Sequence, residues 1–285
     1  MISLMLLGVL ALGLALSWMA GSAMVRTTPS TVAPAAPPAR DLEIASTDGV
    51  TLAASYWPGA TVHAPAVLLL HGNGASRAMM AANAAWLAGR GYAALTIDFR
   101  GHGGSTAASH SFGLRESADA AAALAWLKHR EGNAPIAVIG VSLGGAAALL
   151  GPDGPVGADA LILQAVYPDI RRAIRNRIAS QVGFVPAWLL EPWLSFQALP
   201  RYGVWPGRIA PLDALHRYAG PVFVIGGGAD RYTPPDETRE LFDAVRGPRA
   251  LWIVDGLDHD EVSGLTDDRY RRRVLAFLRR SIGNP

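Results

Sequence analysis

The chain opens on an apolar run, Ile2 to Met24, that contains no Asp, Glu, Lys or Arg. A helix rising about 1.5 Å per residue over that length covers the roughly 30 Å hydrocarbon core of a bilayer. The run therefore predicts a single-pass transmembrane anchor within residues 1–25. A cleaved signal peptide is the alternative, with Gly21-Ser22-Ala23 as its small-residue site. Against it, no basic side chain precedes the run, which exceeds the usual apolar region of about 7–15 residues. Residues 26–40 change character, with Pro29, Pro34, Pro37 and Pro38 standing among Ala, Thr and Ser. Such a stretch builds neither helix nor core. It reads as an extended spacer, and the globular domain is expected over 41–285.

From Asp41 the hydropathy pattern alternates between short apolar runs and longer helical ones. Asp41–Ser46 and Val50–Trp57 predict a hairpin around Asp48-Gly49. Ala66–Leu70 is a short, fully apolar run, the mark of a strand buried on both faces, and Tyr92–Asp98, Ile136–Val141, Ala160–Val166, Val222–Ile225 and Ala250–Val254 also read as strands. Between them, Arg77–Arg90, Leu114–Arg130, Pro235–Val245 and Asp267–Ile282 predict helices. Alternation of this kind means an α/β fold, a mostly parallel central sheet with helices on both faces. About fifty residues, 168–218, interrupt the rhythm and hold Trp188, Trp193, Phe196, Tyr202 and Trp205. An insertion of that length inside a compact domain predicts a small cap over a site.

Composition narrows the chemistry. Hydrophobic residues make up 51% of the chain, which supports a sizeable core, and cysteine is absent. That excludes disulfides, thiol nucleophiles and cysteine metal sites. The formal charge is +2 and Lys128 is the only lysine. No basic patch interleaved with aromatics marks a nucleic-acid surface. The seven histidines show neither H-x-H nor H-E-x-x-H spacing, so no metal centre is predicted. Arg171, Arg172, Arg175 and Arg177 read as a solvated helix face.

One stretch carries a reactive residue. Gly140-Val141-Ser142-Leu143-Gly144-Gly145 follows the run Ile136–Ile139 and precedes an alanine-rich stretch. Strand, sharp turn and helix in that order lift Ser142 above the sheet edge, and flanking glycines let the two backbones approach. A nucleophilic serine needs a base, an acid to orient that base, and donors for an oxyanion. In an open parallel sheet these gather at the carboxyl ends of strands. Asp230 follows Val222–Ile225 and His259 follows Ala250–Val254, giving the order Ser, Asp, His. His71-Gly72-Asn73-Gly74 follows Ala66–Leu70, and the N–H groups of Asn73 and Leu143 are the candidate oxyanion donors. His71 reads as a structural residue of that turn. Asp258 and Asp260, beside the histidine, read as solvated rather than as its orienting acid.

Taken together, GVSLGG, HGNG, DFRGHG after a strand, GGGADRYTPP and the late His259 resemble the α/β-hydrolase superfamily. More narrowly, the chain resembles its lipase and serine-aminopeptidase-like branch over about Asp41 to Ile282. The resemblance implies the α/β-hydrolase fold, no cofactor, and a structural role for Arg100 and His102 in the DFRGHG stretch. Gly226-Gly227-Gly228 before the acid departs from the family pattern.

The function expected is a serine hydrolase cleaving small-molecule or lipid carboxylic esters through Ser142, His259 and Asp230. An aminopeptidase-like peptidase or a thioesterase is the nearest alternative. A catalytically idle, membrane-tethered binding module is the rival from another class. An aminopeptidase would need carboxylates for the substrate ammonium, yet Glu191 is the only acid between Ile170 and Leu212. Arg26 and Arg40 follow the apolar run and no basic residue precedes it, which the positive-inside rule reads as a cytoplasmic catalytic domain. The side stays open, because two arginines are few and a secreted or periplasmic product would follow from cleavage.

Overall fold

The computed structural model describes residues 2–285. Eight strands form one sheet: β1 (Arg40–Ala45), β2 (Thr51–Trp57), β3 (Ala66–Leu70), β4 (Ala93–Ile97), β5 (Ile136–Val141), β6 (Ala160–Gln164), β7 (Val222–Gly227) and β8 (Arg249–Val254). Their spatial order is β1-β2-β4-β3-β5-β6-β7-β8. Only the hairpin strand β2 pairs antiparallel, with β1 and β4, and every other pair is parallel. The α/β architecture with a mostly parallel sheet is thus the one the apolar runs predict.

Because side chains alternate along a strand, the continuous runs feed two cores. Leu68 and Leu70 of β3 join one apolar layer, and Val67 and Leu69 the other. Helices α3 (Glu116–Glu131), α4 (Leu143–Leu149) and α9 (Pro235–Ala244) cover the first face. Helix α2 (Ala78–Ala88) and the C-terminal α11 (Asp268–Ser281) cover the second. In α11, Val274, Phe277 and Leu278 point in while Arg271 to Arg273 punctuate the outer side, the ordinary amphipathic arrangement.

Between β6 and β7 stand α5 (Ile170–Val182), α6 (Phe184–Ser195), α7 (Ala198–Tyr202), a 3₁₀ turn at Pro206–Arg208, and α8 (Pro211–Leu215). A short α10 (His259–Ser263) follows β8. The N-terminal α1 (Ile2–Met24) is one helix long and apolar enough to cross a membrane. Its last two turns pack on the cap. Gln197 and Arg201 donate to the backbone carbonyls of Ser17 and Trp18, and Ser17 donates to Trp193 O. Gly21 permits the contact, since a Cβ there would run into the Gln197 side chain; nothing crowds Gly8 or Gly13.

Residues 26–40 contain no helix, as their prolines dictate, but they do not stand clear of the domain. Val25 is buried, Thr28–Pro29 pairs in parallel with His102–Gly103, and Ala35 and Ala39 pack against the second core. The segment is a strap laid along the sheet rather than a free spacer. Unpaired backbone groups explain the difference: a proline-rich chain beside the Gly101-His102-Gly103 turn gives Thr28 N–H and Ser30 N–H the carbonyls of Gly101 and Gly103.

Candidate active site

The chain order reverses direction at β3, with β4 laid to one side and β5 to the other. The crevice outside the carboxyl ends of such strands is where open α/β sheets bind ligands. His71-Gly72-Asn73-Gly74 leaves β3 at this point and Ser142 leaves β5. Ser142 has φ 47° and ψ −109°, a conformation that side-chain-bearing residues avoid. The glycines around it hold that strain. A Cβ on Gly140 would sit 2.6 Å from Gly145, one on Gly144 would meet the Leu70 carbonyl, and one on Gly145 would strike Val166. Strand and helix therefore close on each other only because positions 140, 144 and 145 are bare.

Asp230 and His259 come from the loops after β7 and β8. His259 Nδ1 lies 2.8 Å from Asp230 Oδ2. The Thr233 hydroxyl donates to the same Oδ2 at 2.6 Å, and the N–H groups of Tyr232 and Thr233 hold Oδ1, each at 2.8 Å. Burial pushes the Asp230 carboxyl up, but the hydrogen bonds from His259 and Thr233 outweigh it and hold the group below the usual range. An ionised Asp230 accepts from Nδ1–H, which leaves Nε2 as the basic nitrogen of a neutral ring. The unusual glycine run has a packing reason. Gly226 faces Thr238 and Gly227 the Leu257 carbonyl, both too close for a Cβ.

Asn73, Ser142, Leu143, Tyr232, Thr233 and His259 line one cleft of about 270 Å³. The N–H groups of Asn73 and Leu143 find no protein acceptor among the described residues, as the first N–H of a helix and a turn N–H facing a cleft would not. Next to Asn73 stand three histidine rings, His71, His102 and the cleft-lining His110, with centroids 5.2 Å apart in each successive pair. His71 donates from Nδ1 to Gly72 O and accepts the Phe99 N–H at Nε2, so it is a fastening of the turn and not a base. Burial drives both His71 and His110 down to about 4. His102 sits between two acceptors, with Nδ1 3.0 Å from Arg100 O and Nε2 3.3 Å from Asn73 Oδ1, and burial lowers its pKa. Arg100 is tied to Asp119 by two bonds of 3.0 and 2.8 Å, away from the cleft.

Asp258 is exposed and is not the partner of His259, as its reading expects. It also caps α10, accepting from the N–H groups of Asp260 and Glu261, with Glu261 answering in a capping box that fixes where His259 begins its helix. One expectation needs correction: the α5 arginines are not a plain solvated face. Arg171 and Arg175 clamp Glu191, Arg172 pairs with Asp169 and Glu240, and Arg177 lies over the Tyr232 ring at 4.2 Å.

The remaining wall was not legible in advance. Ala23, Met24, Arg26 and Thr28 bring the end of α1 and the strap into the cleft, beside Ile174 and Arg177 of α5. No carboxylate lines the cleft among the described residues, and neither Arg26 nor Arg177 has an acidic partner there.

Comparison with known proteins agrees with this architecture. The family described as "Serine aminopeptidase, S33" matches residues 62–201. An uncharacterized protein of Mycobacterium tuberculosis is 33% identical over 231 residues, covering 79% of this chain and 74% of the relative. A lysophosphatidylserine lipase of Danio rerio is 27% identical over 194 residues, covering 66% of this chain and 49% of that protein. Among solved structures, an esterase of Pyrococcus furiosus superposes with a TM-score of 0.69 at 24% identity, covering 90% of this chain and all (100%) of that one. A thermophilic esterase of Thermogutta terrifontis gives 0.67 at 20% identity, covering 87% and 94%. At those identities the two structures speak for the fold.

Proposed function

Because the chain belongs to the α/β-hydrolase superfamily, in its serine-aminopeptidase-like branch, we propose that it is a membrane-anchored serine hydrolase of carboxylic esters. What carries the reading is the 2.8 Å contact of His259 Nδ1 with Asp230 Oδ2, at the wall of the cleft that the strained Ser142 also lines.

In this reading His259 Nε2 takes the proton of Ser142 as its oxygen attacks the ester carbonyl. Asp230 holds the ring in the Nδ1–H tautomer and stabilises the imidazolium. The N–H groups of Asn73 and Leu143 receive the oxyanion as it forms, where fixed donors act most strongly. The imidazolium returns its proton to the leaving alcohol, and water repeats the sequence on the acyl-enzyme. No residue outside this set moves a proton.

An ester is favoured over an aminoacyl substrate by the lining of the cleft. A free ammonium group would look for a carboxylate and meet Arg26 and Arg177 instead. The only acid of the cap's first three helices, Glu191, is buried under Arg171 and Arg175. Retention of α1 is supported by its place in the cleft wall, since cleavage after Ala23 would remove a face to which Gln197 and Arg201 are bonded. A fluorophosphonate probe tests the chemistry: it should label the full chain at Ser142 and leave Ser142→Ala unlabelled. Labelling that persists in Ser142→Ala, or a wild-type chain that hydrolyses aminoacyl amides in preference to esters, sinks the reading. Membrane fractions washed with carbonate test the anchor, which should stay with the pellet and retain its original N-terminus.

A further inference from the structure

Helix α6 is built with its polarity reversed. Its inward stripe is Ala187, Glu191 and Ser195, at successive fourfold spacing, and Glu191 is fully buried where Arg171 and Arg175 bind it at 2.9 and 3.3 Å. The outward faces carry Phe184, Val185, Trp188, Leu189, Leu190 and Trp193, with Val185 70% and Leu189 68% exposed. A surface helix in water hides its apolar stripe and shows its charge. Here the one charged side chain faces the protein and the apolar ones face out, forming a contiguous patch of the kind that marks an interaction surface.

What covers that patch is fixed by its neighbour. α6 lies against α1, whose outer surface is equally apolar and which is long enough to span a bilayer. The register of the contact sets a depth. Ser17 donates to Trp193 O at 2.7 Å, and Gln197 returns a bond to Ser17 O at 2.9 Å. Ser17 precedes Met24 by seven residues, about 10 Å along the helix. If Met24 marks the level at which α1 leaves the apolar phase, Trp193 sits about 10 Å beneath it. That is the depth at which interfacial helices bury their apolar faces. Arg201 stacks on the Trp18 ring at 3.8 Å and its guanidinium reaches Ser22, toward the polar end of α1, as a snorkelling side chain does.

We propose that α6 is immersed in the same bilayer as α1, as a non-spanning membrane helix, and that the cleft opens at the lipid surface to an ester dissolved in the bilayer. Ala23 and Met24 line the cleft, so its mouth stands at the level where α1 emerges. This rests on the reading of α1 as a retained anchor, and not on the assignment of the serine chemistry.

The absence of cysteine makes the test direct. Single cysteines are introduced by Val185→Cys and Leu189→Cys on α6. A third, by Val62→Cys, sits in the exposed loop leading into β3, at the amino end of that strand and so away from the cleft. Each full-length variant is spin-labelled in phosphatidylcholine–phosphatidylglycerol nanodiscs, and collision rates with oxygen and with a neutral nickel chelate are compared. Labels at 185 and 189 should favour oxygen several-fold over the chelate, and the label at 62 the reverse. Equal chelate access at all three positions overturns the proposal. So does spin–spin broadening at 185 and 189, which would make a second copy the occupant. Release of the wild-type chain from membranes by carbonate removes the anchor and the proposal together. In a second arm, Leu189→Asp should lower hydrolysis of a long-chain ester in vesicles roughly tenfold and leave a water-soluble butyrate ester unaffected. Equal loss on both substrates also overturns it, and no hydrolysis of either by the wild-type chain would count against the ester reading alone.

Discussion

The two walls of the cleft are built on different physics. On one side, Asn73, Ser142, Leu143 and His259 stand on the carboxyl ends of strands or on the loops just beyond. Hydrogen bonds and bare glycines hold them there, and neither can be satisfied in a second arrangement. On the other side, Ala23 and Met24 come from α1, whose outer surface is apolar, and Ile174 and Arg177 from α5, which ion pairs tie to α6 and α9. The strand side positions reacting atoms and is indifferent to what surrounds the molecule. In the reading proposed above, the helix side decides what reaches those atoms and is the side that meets lipid.

If the walls divide the work this way, changes on the strand side should cut turnover on every substrate. Ser142→Ala should lower kcat by about 10⁶ on soluble and membrane-borne esters alike, with unchanged circular dichroism. A folded variant keeping a tenth of wild-type activity would break the comparison at its base. Asp230→Asn should cost about 10⁴ in turnover with little change in KM, because the ring then settles in the wrong tautomer. Asp258→Asn is the sharpening control. Asn is still a competent helix cap, so stability should change by less than about 1 kcal/mol and turnover hardly at all. Loss of turnover there, with Asp230→Asn active, would move the orienting acid to the residue next to the base.

On the helix side the effect should be selective. Arg26→Gln and Arg177→Gln should each raise KM about fivefold for an ester carrying a carboxylate or phosphate, and leave a neutral ester of the same chain length unchanged. That is the scale of an exposed charge pair, about 1 kcal/mol. Equal effects on both esters would mean these arginines shape the cleft without reading charge.

The smallest effect separates the walls by pH. His71 and His110, in the cluster next to Asn73, titrate near 4 in the folded chain and near 6.5 unfolded. Between those values the unfolded chain binds more protons, so stability is complete above about 6.5 and falls as pH drops toward about 4. Tm measured across that window should decline, and His110→Asn should flatten part of the decline. A Tm independent of pH there would show that the strand side is not held by neutral histidines.

Much of the strand side was legible in the sequence, because its constraints act on residue type. Only glycine fits at 140, 144 and 145, and the loops holding Asp230 and His259 follow unmistakable strands. The grip of Thr233 on Asp230 was missed, although a threonine three residues after an aspartate in a turn is a local hydrogen-bonding pattern. So was the capping box, which Asp258 and Glu261 spell at the required spacing. The helix side was not legible. Four prolines say that residues 26–40 form no helix, but not that the strap returns along the sheet to put Arg26 and Thr28 into the cleft. Glu191 alone in FVPAWLLEPWLS could have signalled a reversed helix. Without its partners Arg171 and Arg175 in view, it reads as the one exposed residue of an apolar cap.

The docking of the end of α1 and of the strap at two nearby points has a mechanical consequence. Gly21 is seated on Gln197 and Thr28 is paired with the Gly101–Gly103 turn, so only six residues join two fixed points. One residue added to the helical part of that stretch would turn one point about 100° relative to the other and displace it about 1.5 Å. Both attachments cannot survive that rotation. Residues added before Ser17 only lengthen the far end and leave the attachments in phase. As the anchor proposed above, α1 would work as a keyed shaft rather than a leash: its outer length is free to vary, while its last turns set the angle at which the α/β body faces the bilayer.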